Sequence, residues 1–231
     1  MTDQAQRGTP KAAKTNSVFK KVVMAVSGII MLLFLIAHMI GNLHVFQGAE
    51  SFNDYSEWLR SFGEPALPPR TLLTAIEIGL LVSVFAHMWA AIALWRQAKR
   101  ARPERYVTKK SVVQTYASRT MRWGGVIIGL FIVYHLLDLT FGAANPAGTG
   151  ATPYDRLVAS FQNPIATTVY VIALVLLGMH LRHGIWSVTQ TLGLSNRRRE
   201  KTANAFAIAF ATLLIVGYLV VPAAVVFGIV D

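Results

Sequence analysis

The sequence predicts an all-α integral membrane protein of five spanning helices with a cytoplasmic N-terminus. Three observations carry this expectation. The 231 residues are 54% hydrophobic and only 14% charged, whereas a soluble domain carries roughly 25% charged residues. Five apolar windows are each long enough for the roughly 20 helical residues that a bilayer requires. The basic residues also gather on alternate sides of those windows.

The chain opens with a polar, basic tail over 1–21, expected to be mobile and cytoplasmic. A single five-helix membrane domain follows over 22–230, with spans expected at about 22–44, 71–95, 123–141, 164–189 and 203–230. The first window is too long for a signal-peptide core and is expected to persist as a helix. Five basic residues, Arg7, Lys11, Lys14, Lys20 and Lys21, precede it. Nine lie between spans two and three, from Arg96 to Arg122, and Arg197, Arg198, Arg199 and Lys201 lie between spans four and five. The opposite loops carry only Arg60, Arg70 and Arg156. The positive-inside rule therefore puts the N-terminus inside and the C-terminus outside. On this reading the net charge of +11 is a topology signal and not a nucleic-acid footprint.

The first outer loop contains SFNDYSEWLRSF, in which Phe52, Tyr55, Trp58, Leu59 and Phe62 recur at helical spacing. It reads as a short amphipathic helix over about 51–62, lying at the membrane surface. Ser51 and Asp54 are its expected capping pair, and Pro65, Pro68 and Pro69 end it. The chain has no cysteine, which excludes disulfides and Cys-ligated iron–sulfur clusters within it. It has neither a Rossmann glycine fingerprint nor a P-loop.

The histidines are the most informative residues. His38 lies in span one, His87 in span two, His135 in span three, and His180 with His183 in span four; His44 ends span one. At about 1.5 Å rise per residue, His38 and His135 lie about 24 and 18 Å from the inner ends of their helices. His87 and His180 lie only about 12 to 14 Å deep. The four thus form two layers, each drawing two imidazoles from different helices. Two opposed imidazoles are what a six-coordinate heme iron needs beyond its porphyrin, and helical bundles build cofactor sites in their interiors. Gly28, Gly41, Gly79, Gly124, Gly125, Gly129 and Gly178 are placed to make room for a macrocycle. Interhelical hydrogen bonding or a proton pathway are the competing readings of intramembrane histidines. Neither predicts four histidines on four helices in two layers. His183, with Arg182 and Arg119, is a candidate partner for propionates of the inner heme, or else an interfacial group facing headgroups. His44 is about 240° round the helix from His38 and should not share its heme.

Several stretches together resemble a known family: KVVMAVSGIIMLLFLIAHMIGNLHVFQG, FNDYSEWLR, ARPERYVTKK, ASRTM, IVYHLLDLT and GMHLRHGIWSVTQTLGL. They are similar to the di-heme cytochrome b membrane subunit of succinate dehydrogenases and fumarate reductases, over almost the whole chain from about Lys20. The resemblance implies a bacterial inner-membrane anchor with two b-type hemes. Its partners would be a flavoprotein carrying FAD and an iron–sulfur protein, and its electron acceptor menaquinone. Residue by residue, it implies that His38 and His135 ligate the heme distal to the iron–sulfur subunit, and His87 and His180 the proximal one. Electrons from succinate would then cross both hemes to quinone. Quinone reduction takes up protons, and two acids, Glu77 in span two and Asp138 in span three, are the expected outer proton and quinone site. A cytochrome b anchor of a hydrogenase or formate dehydrogenase is the first alternative, and a heme-free proton-relay transporter the second.

Overall fold

The computed structural model describes residues 11–100, 112–191 and 197–231, with side chains over 17–100, 121–188 and 200–231. Described residues are helical almost throughout: α1 Lys11–Asn42, α2 Ala49–Ser61, α3 Thr71–Arg100, α4 Val112–His135, α5 Pro153–Gln162, α6 Pro164–Thr191 and α7 Arg197–Val226. A 3₁₀ turn, Leu43–Gln47, extends α1, and a π-helical turn, Leu136–Thr140, extends α4. Among the described residues five helices are long and apolar enough to cross a membrane. Their side chains explain why: Phe85 (68% exposed), Leu130 (67%) and Leu213 (72%) present apolar surface that water would penalise and lipid would solvate.

The helices are longer than the apolar windows. α1 starts at Lys11, well before Val22, and α3 runs to Arg100. Apolar length measures the bilayer, whereas Lys, Arg and Gln are themselves good helix formers that carry a helix beyond it.

The chain divides into two compact units, Met1–Leu35 with Leu73–Thr108, and Ile36–Leu72 with Lys109–Asp231. In the first, Ser27 and Ser83 are buried, each hydroxyl returned to a carbonyl of its own helix, Val23 at 2.6 Å and Gly79 at 2.7 Å. Lys20 Nζ donates to Gln97 Oε1 at 3.5 Å.

The second unit holds the larger core: Val45, Phe52, Tyr154, Leu157, Val158, Phe161, Tyr170, Val221 and Val225 cluster together. Glycines let its long helices approach. A Cβ on Gly178 would lie 2.9 Å from Ile215, and one on Gly217 would fall on Met39 Sδ.

The loops after the first and third spans each hold a short helix, and one expectation there is corrected. The helix near 51–62 is present, but Gly48 occupies its N-cap at φ 95°, a conformation glycine favours, and no side chain caps it. Ser51 instead donates to Gln47 Oε1 at 2.9 Å. The loop between the third and fourth spans, for which the sequence reading names no helix, contains α5. Its start is a capping box: Asp155 N donates to Thr152 Oγ1, Thr152 N to Asp155 Oδ2, with Pro153 at the first position. Leu157, Val158 and Phe161 then bury one face. Asn53 Oδ1, on α2, accepts from Tyr154 N at 3.1 Å, joining the two loop helices.

Candidate functional site: a histidine pair and its polar support

In the second unit the structure brings His38 and His135 together. Their ring centroids are 5.8 Å apart and the planes stand at 81°. A metal bound to one nitrogen of each ring, at about 2 Å as for a first-row ion, sets the centroids about 6 Å apart. The spacing therefore suits two imidazoles that would together hold one heme iron. Among the described residues no three His, Asp or Glu side chains converge as a protein-only metal site.

One nitrogen of His135 has a specific partner. Its Nδ1 lies 3.3 Å from Tyr170 Oη on α6, and the Tyr170 hydroxyl donates to Asp138 Oδ2 at 2.9 Å. With its proton committed to the carboxylate, the phenol oxygen accepts, so His135 Nδ1 carries the hydrogen and Nε2 keeps its lone pair. Tyr170 is fixed in turn by Phe131 and Phe161, both at 5.0 Å and nearly perpendicular.

Asp138 is 0% exposed and accepts three hydrogen bonds. Beside Tyr170, Ser160 Oγ on α5 donates at 2.6 Å and Asn145 Nδ2 at 2.7 Å. Asn145 also donates to Arg156 O at 2.9 Å and accepts from Ala147 N at 2.9 Å. Arg156 donates to the carbonyls of Thr140 (2.8 Å) and Thr149 (2.6 Å), a cation at the end of α4 where the helix dipole favours one. Asp138 is thus enclosed, and any part it takes in proton delivery runs through the groups bonded to it. Glu77, in the first unit, is exposed.

His87 belongs to the first unit. Its Nδ1 lies 3.1 Å from Met24 O and 3.3 Å from Ser27 Oγ. A backbone carbonyl only accepts, so Nδ1 is again the protonated nitrogen. Gly28 lies against this ring; a Cβ there would be 3.5 Å from His87 Cε1. His180 lies in the second unit, where a Cβ on Gly125 would be 3.9 Å from its Cε1. Of the expected propionate partners, His183 rests on Trp186 at 5.6 Å between rings and Arg182 is exposed. The Arg119 side chain lies outside the described residues, as do those of the basic stretch over 101–111.

His44 is occupied elsewhere. It stacks on Tyr55 of α2 with centroids 4.5 Å apart and planes 7° from parallel. Tyr170, Ser160, Asn145 and Arg156 did not enter the sequence reading as site residues. The one local signal for any of them was the Thr152–Asp155 capping box, which marks the helix carrying Arg156 and Ser160.

Residues 96–219 match the family model described as succinate dehydrogenase/fumarate reductase transmembrane subunit. The chain is also similar to the succinate dehydrogenase cytochrome b558 subunit of Bacillus subtilis (strain 168). The two are 23% identical over 187 residues, 80% of this chain and 85% of that protein. No solved structure matches.

Proposed function

The chain belongs to the succinate dehydrogenase/fumarate reductase transmembrane-subunit family, and from that premise we propose that it is a di-heme cytochrome b that carries electrons from succinate oxidation to menaquinone. When bound, two b-type hemes would supply one-electron steps between an iron–sulfur partner and the quinone. The observation that carries the reading is the His38–His135 pair, 5.8 Å between centroids, with His135 Nδ1 engaged by Tyr170.

In this reading His38 and His135 hold the outer heme, and His87 and His180 the inner one. The Met24 carbonyl orients His87 as Tyr170 orients His135. Arg182, His183 and Arg119 meet the inner propionates, since cations satisfy buried carboxylates through charge-assisted hydrogen bonds. The basic N-terminus and the basic stretches over 96–122 and 197–201 face the cytoplasm. There they present positive charge to the flavoprotein and the iron–sulfur protein, which this chain anchors to the inner membrane. Glu77 delivers protons at the outer quinone site, and Asp138 contributes to that site through Tyr170.

A reduced-minus-oxidised spectrum of the purified complex, with a heme-to-protein ratio, tests the proposal. Two b-type hemes per chain are expected. His38→Ala and His135→Ala should each remove the same heme, and His87→Ala and His180→Ala the other. A colourless complex with ample heme supply, or two hemes retained in His135→Ala, would refute it.

A further inference from the structure

We propose that Asp138, acting through the Tyr170 hydroxyl, is a positioning residue that polarises His135 and lowers the reduction potential of the heme His135 ligates. The inference rests on the heme-ligand reading above and assigns a function to a buried network that ligation alone does not require.

The network runs in one direction. Asp138 Oδ2 accepts from Tyr170 at 2.9 Å, and Tyr170 Oη accepts from His135 Nδ1 at 3.3 Å. A carboxylate drawing on the phenol proton makes the phenol oxygen a stronger acceptor. That oxygen in turn draws on the imidazole N–H, raising the basicity of Nε2. A more basic ligand donates more charge and favours the more highly charged ferric iron.

Three further features mark the network as built. Asp138 and Ser160 are each 0% exposed, in a segment where an uncompensated carboxylate would be very costly. The chain makes an i→i+5 turn directly after His135, with Phe141 N donating to Leu136 O at 2.8 Å, and Asp138 sits within it. A turn of this kind closes a helix C-terminus, and here it sets Asp138 where Asn145 and Ser160 of the following segments reach it. Finally, Ser160 Oγ donates to the same oxygen, Oδ2, that Tyr170 uses. Ser160 therefore competes with Tyr170 for the carboxylate and sets how hard Asp138 pulls.

That competition makes the proposal testable by sign. In the purified complex, Tyr170→Phe keeps the ring packed against Phe131 and Phe161 and removes only the hydroxyl. Both hemes should remain. The ferric-to-ferrous balance of the His38/His135 heme should shift about tenfold toward ferrous, an upward change of about 59 mV for one electron. The other heme should not move. Ser160→Ala frees Oδ2 for Tyr170 and should move the same heme the opposite way, by less. Potentials come from spectra recorded during redox titration. If both hemes are retained and neither variant changes a potential, or if both shift it upward, the relay is overturned. Should Tyr170→Phe lose its heme, the sign in Ser160→Ala decides alone: a fall supports the relay, and no change or a rise overturns it. His135→Ala separates the two claims: retention of both hemes there refutes the ligand assignment and not merely the relay.

Discussion

Replacing Asp138 with alanine should loosen the segment over 141–152 far more than it disturbs the spanning helices. Three donors, from Ser160 (2.6 Å), Asn145 (2.7 Å) and Tyr170 (2.9 Å), would lose their acceptor at once. Hydrogen bonds to a charged group contribute about 1.5–3 kcal/mol each. Their simple sum overstates the effect, because the three are neighbours, and burying the carboxylate itself costs several kcal/mol. Breaking a buried charge network by removing one member typically costs about 3–5 kcal/mol, which is the expected figure here. Asn145 ties the network to the loop through Arg156 O and Ala147 N, so the loss should surface there. The backbone amides of Ala144 and Gly148, bonded to Leu137 O (3.1 Å) and Asn145 O (3.0 Å), report it. Their hydrogen exchange should accelerate by at least about 100-fold, since each 1.4 kcal/mol is tenfold. Glu57→Gln is the control: its ion pair with Arg60 is 3.7 Å long and solvent-exposed, so exchange should be unaltered. If Asp138→Ala exchanges within threefold of wild type at both amides, the carboxylate is not the pin of this segment and the energetic argument fails.

Gly142→Ala should destabilise the same segment by about 2 kcal/mol or more, because it combines left-handed backbone strain with a clash. Gly142 has φ +70°, and its Cβ would lie 2.6 Å from Gly148 O; an unchanged melting temperature of the complex would contradict this. Gly41→Ala would set a methyl 2.9 Å from the Tyr55 ring that stacks on His44, so a cost of about 1–3 kcal/mol is expected from overpacking. Thermal unfolding checks it, with both heme spectra expected to stay as in wild type. Glu77→Gln should slow quinone reduction while leaving both heme spectra and succinate-dependent heme reduction intact, and undiminished quinone turnover would remove Glu77 from the proton route.

What the sequence made legible follows from which quantities are fixed along a helix. Rise per residue is nearly invariant, so counting from His38 and His135 to the ends of their windows placed both in one layer, and their rings lie 5.8 Å apart. Rotation round the helix is equally regular, which separated His44 from His38, and His44 stacks on Tyr55 instead. Apolar length marked five spans but not their helix ends, because hydropathy changes at the membrane surface whereas helical backbone continues through Lys and Arg.

The support of His135 was not legible for a different reason. Asp138, Asn145, Ser160 and Tyr170 belong to four successive elements, and no periodicity relates residues whose proximity depends on how a loop and a short helix fold back. α5 is also short. Its ten residues lack the length that separates a membrane span from background, and its capping box, which the sequence reading passed over, is the local signal that marks it. Asp138 itself drew notice because an acid at that depth is expensive, but cost alone does not say what repays it. A carboxylate facing a quinone and one enclosed by three donors make the same demand on the sequence, namely an acid three residues after a histidine. They differ in the partners that arrive from elsewhere. Here the partners are a serine, an amide and a phenol, and the phenol also lies 3.3 Å from His135 Nδ1. An acid that would otherwise be read as a proton donor to substrate is therefore connected first to His135, the proposed heme ligand. The two roles predict different observables: a substrate-facing acid alters turnover with potentials unchanged, whereas a ligand-facing acid alters one potential even when no quinone is present.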